Sequence, residues 1–132
     1  METALVAPIT AIFAAALAII FIILSFGVIG HRRKQGVGIG HGKDTQILQA
    51  VRVHGNFAEY VPITLILLFL AEINHASAML LYVLGAWFTV ARILHAIGLN
   101  ANPGVTWQRA VGTLSTFAVM IVLAVTNVVL VY

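Results

Sequence analysis

The sequence predicts an all-α membrane protein: an antiparallel bundle of four spanning helices forming one domain over residues 1–132. Three observations lead there. The chain is 61% hydrophobic and 8% charged, with a mean hydropathy of +1.06, whereas ordinary soluble domains are about 45–50% apolar and about 25% charged. Four apolar runs are separated by short polar stretches, and four helices of ~20 residues would occupy most of the chain. The seven Lys and Arg outnumber the four Asp and Glu, but they are too few and too clustered for a nucleic-acid-binding face and suit membrane flanks. No space remains for a separate catalytic domain, and no nucleic-acid partner is expected. The chain has no cysteine, which excludes disulfides, thiolate metal sites and a cysteine nucleophile. Any thiol chemistry must therefore use a thiol brought by a ligand, and no metal site is expected.

The helices are expected near residues 5–31, 45–72, 76–98 and 106–131. The first run, Leu5 to Gly30, is 26 residues without a charge, and Pro8 is placed to open a helix. A cleaved signal peptide would have a basic start and a shorter core, whereas the only early charge here is Glu2, so the run reads as a retained helix. It stops at His31-Arg32-Arg33-Lys34, and the Gly-rich stretch Gln35 to Gly42 does not continue it. The second run has only twelve uncharged residues, Tyr60 to Ala71; counting back ~20 residues to fill a bilayer reaches Arg52 and takes in Glu59. The third, Ala76 to Ile97, contains Arg92. The fourth, Ala110 to Tyr132, follows the turn cluster Asn100 to Gly104 and has Arg109 at its entrance.

Arg32, Arg33, Lys34 and Lys43 follow the first span, and the loop after the second holds Glu72 and His75 with no Lys or Arg. The positive-inside rule then makes the first and third loops cytoplasmic and puts both termini on the other side. Arg52, Arg92, His95 and Arg109 all fall in the cytoplasmic half. Small residues such as Ala14, Ala18, Gly112 and Ser115 permit close helix packing, and Trp107 is placed to anchor at the interface. No internal or inverted repeat is visible, which weakens a transporter reading.

A helical residue turns by about 100°, so Asn56 and Glu59 lie at roughly +40° and −20° from Arg52, with Gln49 and Tyr60 at roughly +60° and +80°. These five polar residues share one stripe. A charge at membrane depth costs at least ~2.5 kcal/mol, so the stripe must face protein, water or ligand. An Arg52–Glu59 pair that locks helices is one reading. A polar-ligand site explains the accompanying Asn56, Tyr60 and Gln49 better. Arg92 and His95 lie one turn apart on the third span; Arg92 is expected to be partnered, with Glu59 the candidate, and His95 is either structural or part of the site. Arg109 opens the fourth helix, where a cation opposes the helix dipole, so it has no local stabilising reason to be there beyond anchoring topology. Several cations, one carboxylate and an amide suit a small anionic zwitterion.

The segment Arg52-Val-His-Gly-Asn-Phe-Ala-Glu-Tyr-Val-Pro62 closely resembles the signature R-x-x-x-N-x-x-E-Y-x-P of the MAPEG family, membrane-associated proteins in eicosanoid and glutathione metabolism. The resemblance extends to Val28-Ile-Gly-His-Arg-Arg-Lys34, Arg92-Ile-Leu-His95 and Arg109-Ala-Val-Gly112, and covers essentially the whole chain. It implies a homotrimer that binds glutathione as cosubstrate between neighbouring subunits on the cytoplasmic side. Arg52, Asn56, Glu59 and Tyr60 would hold glutathione, with Arg92 and His95 helping to hold or position it. By the same resemblance Arg109 would stabilise the thiolate and Arg33 would take part in binding or catalysis. The compact size looks like that of a bacterial inner-membrane member resembling microsomal glutathione transferase.

A free thiol with a pKa near 8.5 is only a few per cent thiolate at pH 7, so a neighbouring guanidinium would raise the nucleophilic fraction. The expected activity is a glutathione transferase, with peroxidase activity open to the same thiolate, acting on a lipophilic electrophile that arrives from the bilayer. Leu99 stands where several eicosanoid-making relatives have tyrosine, which points away from leukotriene- and prostaglandin-specific activity. Two alternatives remain. One is a noncatalytic glutathione- or lipid-binding member of the family. The other is a small proton-coupled multidrug transporter, disfavoured because Arg52 and Arg92 would hold Glu59 ionised.

Overall fold

A computed structural model describes residues 5–132; Glu2 lies outside the described residues. Four helices follow in order: α1 Pro8–Gln35, α2 Thr45–Ile73, α3 Ala78–Ala101 and α4 Trp107–Val131. Each contains an apolar window long enough to cross a membrane. The chain is an integral, multi-pass membrane protein.

α1 begins at Pro8, where the missing N–H of proline costs nothing. It runs past Gly30 to Gln35, because Arg32, Arg33 and Lys34 in its last turn complement the helix dipole. Gly36, at φ 66°, adopts the left-handed cap that only glycine takes without strain. The guanidinium of Arg32 then organises the Gly-rich loop by donating to the carbonyls of Gly38 (3.2 Å) and Gly40 (2.7 Å).

Asp44 caps α2, its carboxylate accepting from the backbone N–H groups of Gln46 (2.7 Å) and Ile47 (3.0 Å). α3 starts after Ser77 and continues to Ala101, three residues beyond the expected end. That last turn is held from outside: Gln49 Nε2 donates to the carbonyls of Leu99 (2.6 Å) and Asn100 (2.9 Å). Thr106 caps α4 by accepting from Arg109 N–H at 3.3 Å.

α2 and α3 each pack against all three other helices, whereas α1 and α4 flank them without touching each other. The buried centre contains Leu17, Phe57, Leu68, Leu81, Phe88, Val119 and Leu123. α3 and α4 approach so closely that a Cβ on Gly112 would lie 2.7 Å from His95 Cβ and 2.8 Å from the Ala91 carbonyl oxygen. The outer surface is lined by exposed Ile, Val, Leu and Phe, as suits lipid rather than water.

From the sequence Glu72 is a loop charge, but in the structure it sits in the last turn of α2 with a defined partner. Its two carboxylate oxygens accept from the N–H groups of Ile9 (2.7 Å) and Thr10 (2.6 Å). α1 has no side-chain cap of its own at Ala7, so a residue 63 positions away supplies one. Opposite this end, His54 Nε2 and Ser25 Oγ meet at 3.1 Å between α2 and α1.

Candidate functional site

At the end of the bundle where α2 begins, α3 ends and α4 begins, a cavity of about 630 Å³ opens. Its walls come from α2 (Thr45, Gln46, Leu48, Gln49, Arg52, Asn56), from α3 (His95, Leu99) and from the following loop and first turn of α4 (Pro103, Arg109). This volume lies in the range of small-molecule sites. The spacing of Gln49, Arg52 and Asn56 accounts for their shared wall, since steps of three and four residues return to one helix face. Among the described residues no Asp or Glu lines the cavity, whereas Arg52 and Arg109 do. The start of α2 adds the positive end of its dipole, although Asp44 already takes two of its N–H groups. Such walls attract anions.

Four of the eight sequence-predicted residues thus meet in one cavity: Arg52, Asn56, His95 and Arg109. The other four are elsewhere. Glu59 is exposed and faces Arg52 two turns away, with Arg52 Nη1 and Glu59 Oε1 3.9 Å apart. Both side chains are more than half exposed (60% and 55%), so the pair lies on the outer surface of the single chain. Tyr60 lies against Arg92, its ring centroid 5.4 Å from the guanidinium carbon, and against Phe117 at 5.7 Å. Arg33 is exposed at the end of α1 and is not among the cavity-lining residues; its neighbour Arg32 is the one engaged with the loop.

Arg92 is only 1% exposed. The expected pairing with Glu59 is not made. Instead its Nη2 donates to Asn56 Oδ1 at 2.5 Å and its Nη1 to Thr116 Oγ1 at 3.2 Å. The reason is geometric: Glu59 points outward on α2, while Asn56, nearly a turn earlier, faces α3. Thr116 was not foreseen. A lone threonine in an apolar run reads as a helix back-bonder, and it does donate to the Gly112 carbonyl at 2.8 Å. Only the closeness of α3 and α4 at Gly112 lets its oxygen also accept from Arg92.

Arg109 also departs from expectation. The sequence suggested no local stabilising role, yet Arg109 Nη1 donates to the carbonyls of Pro103 (3.0 Å) and Gly104 (2.5 Å). The side chain folds back over the α3–α4 loop and satisfies carbonyls of the turn, which gives it a local role despite its unfavourable position at the start of α4. His95, 4% exposed, has a buried Nδ1 without a partner among the described residues. His95 and Arg109 also border a second groove of about 390 Å³, completed by Val105, Ala110, Thr113 and Leu114. These two residues therefore form a wall between a polar cavity and a largely apolar groove.

The sequence model of the MAPEG family matches residues 10–129. The chain belongs to the MAPEG family. A curated relative in Escherichia coli K12, the inner membrane protein YecN, is 27% identical over 119 residues, covering 90% of this chain and 89% of that protein. The protein of the same name from Escherichia coli O6:H1 matches to the same extent. The MAPEG family includes glutathione transferases, and its matched region holds every residue of the cavity wall.

Proposed function

We propose that this MAPEG protein is a membrane-embedded glutathione transferase that binds glutathione in the α2–α3–α4 cavity and presents its thiolate to lipophilic electrophiles. The observation that carries the reading is the cavity itself. Arg52, Asn56, His95 and Arg109 converge there, no carboxylate among the described residues lines it, and its volume suits a small zwitterion of net negative charge. Arg109 bonds the loop carbonyls through Nη1, and the rest of its guanidinium, without a partner among the described residues, can bond an anionic sulfur. Each unit by which a thiol pKa falls corresponds to about 1.4 kcal/mol of preference for the thiolate. The apolar groove beyond His95 and Arg109 offers the second reactant a route from the bilayer, and a hydroperoxide arriving there would meet the same thiolate.

The proposal includes a homotrimer in a bacterial inner membrane, with both termini on the non-cytoplasmic side. Its support is that Arg52 and Glu59 face outward from the single chain. Left toward lipid, each charge would cost at least ~2.5 kcal/mol. A neighbouring subunit covering this face would remove that cost, bring Glu59 and Tyr60 toward a shared site, and give Arg33 a partner surface.

One observation favours a second reading, a noncatalytic glutathione or lipid binder. The bonds from Arg109 to Pro103 and Gly104 give that residue a structural task needing no thiolate. An ultraviolet difference titration of the detergent-purified protein with glutathione separates the two. A saturable thiolate absorbance at neutral pH, lost in Arg109→Ala with binding retained, is the expected result. Calorimetric binding without thiolate would establish the noncatalytic member, and absence of binding would remove glutathione from the account.

A further inference from the structure

Arg92 and Gln49 both lie beside the cavity, and the hydrogen bonds around them determine what it displays. A guanidinium only donates, so the atom of Asn56 that meets Arg92 Nη2 must be Oδ1. The Asn56 amide therefore turns its Nδ2, a donor, away from Arg92. Gln49 is set the opposite way. The two carbonyls it meets, Leu99 and Asn100, only accept, so they face Nε2 and engage both of its protons. Its free end is Oε1, an acceptor. Both residues line the cavity, and Arg52 lies between them on the same helix face.

We propose that these two amides form a fixed recognition code. Asn56 donates to a carboxylate or carbonyl of the ligand, Gln49 accepts from a ligand N–H, and Arg92 is a positioning residue that never touches the ligand but holds Asn56 in its donating orientation. Seven residues of helix separate Gln49 from Asn56 by roughly 10 Å, the reach of about three residues of extended peptide. The code selects a short peptide carrying an anionic end and a free N–H, and discriminates against simple anions that offer Gln49 no donor. This inference rests on the glutathione reading of the cavity and names how the peptide is oriented within it.

Two substitutions that each add one negative charge to the same wall test it. Asn56→Asp keeps an oxygen facing Arg92 and gives that buried guanidinium a carboxylate, but turns the cavity-facing donor into an acceptor. Gln49→Glu keeps the cavity-facing acceptor but sets a carboxylate against the Leu99 and Asn100 carbonyls. Thermal unfolding without ligand and calorimetric titration with glutathione are measured for both.

The expected pattern is crossed. Asn56→Asp unfolds at or above the wild-type temperature and binds glutathione at least tenfold more weakly, about 1.4 kcal/mol. Gln49→Glu unfolds several degrees lower and loses clearly less affinity than Asn56→Asp, because its cavity-facing oxygen still accepts from the ligand. For Arg92, Arg92→Met weakens binding in the wild-type background and loses that effect in an Asn56→Ala background. A merely structural role would leave the same loss in both. Equal weakening by the two acidic variants would reduce the effect to charge and overturn the code. A lower unfolding temperature in Asn56→Asp would overturn the assigned orientation independently of any ligand. If wild type binds no glutathione, the glutathione reading fails and the peptide code falls with it, while the ligand-free unfolding still decides how Asn56 is held.

Discussion

Among the described residues no carboxylate lies within bonding distance of the buried Arg92; Asn56, Thr116 and the face of Tyr60 share the task of solvating it. A buried charge held by neutral acceptors is sensitive to losing any one of them. Thr116→Val should therefore lower stability by about 1–3 kcal/mol, seen as a reduced unfolding temperature in detergent, although the substitution nearly preserves volume. An unchanged temperature would show that the hydroxyl contributes nothing to holding Arg92. The sequence made the membrane depth of Arg92 legible, because the third apolar run, Ala76 to Ile97, is long enough to span only if it includes this residue. Its partner was not legible. Choosing Asn56 over Glu59 depends on which of two residues less than one turn apart on α2 faces α3, and the charge of Glu59 argued for the wrong one.

The helices show the same division. Their apolar lengths are local, and the sequence displays them; the caps of α2 and α4, Asp44 and Thr106, also come from the residue beside the helix each one caps. The cap of α1 is not local. Glu72 lies in the last turn of α2, where a negative charge opposes that helix's own dipole, and its position makes sense only beside the free N–H groups of Ile9 and Thr10. Glu72→Ala should cost about 1 kcal/mol, the usual worth of an N-cap, and should raise amide exchange in the first turn of α1 while leaving α4 unchanged. Uniform change across the four helices would contradict a local clamp. Between α3 and α4 there is no room for a methyl group at Gly112. Gly112→Ala should displace α4 from α3 and cost about 1–3 kcal/mol through overpacking. Since the same contact holds Thr116 near Arg92, glutathione binding should weaken with it, and calorimetry on the folded variant would detect the coupling.

At the scale of the whole molecule, α2 and α3 form the centre, and α1 and α4 leave the Arg52–Glu59 face uncovered. That face has to meet something other than hydrocarbon. If the proposed trimer covers it, Glu59→Gln should weaken glutathione binding while the particle mass in detergent, measured by light scattering, stays that of three chains. Dissociation to single chains would instead assign the Arg52–Glu59 pair to holding subunits together.

The sequence by itself determined the membrane class, the four spans and the stripe on α2, because apolar run length and the 100° helical turn are properties of consecutive residues. It also carried the family signature from Arg52 to Pro62. Tertiary structure alone decided which members of that stripe share a cavity, that Arg109 folds over its own loop, that Thr116 and Asn56 hold Arg92, and that Glu72 caps a helix 63 residues away. Those outcomes depend on how helices are rotated and how closely they approach. Here that is set by shape at positions such as Gly112, and an apolar run leaves no periodic mark of it.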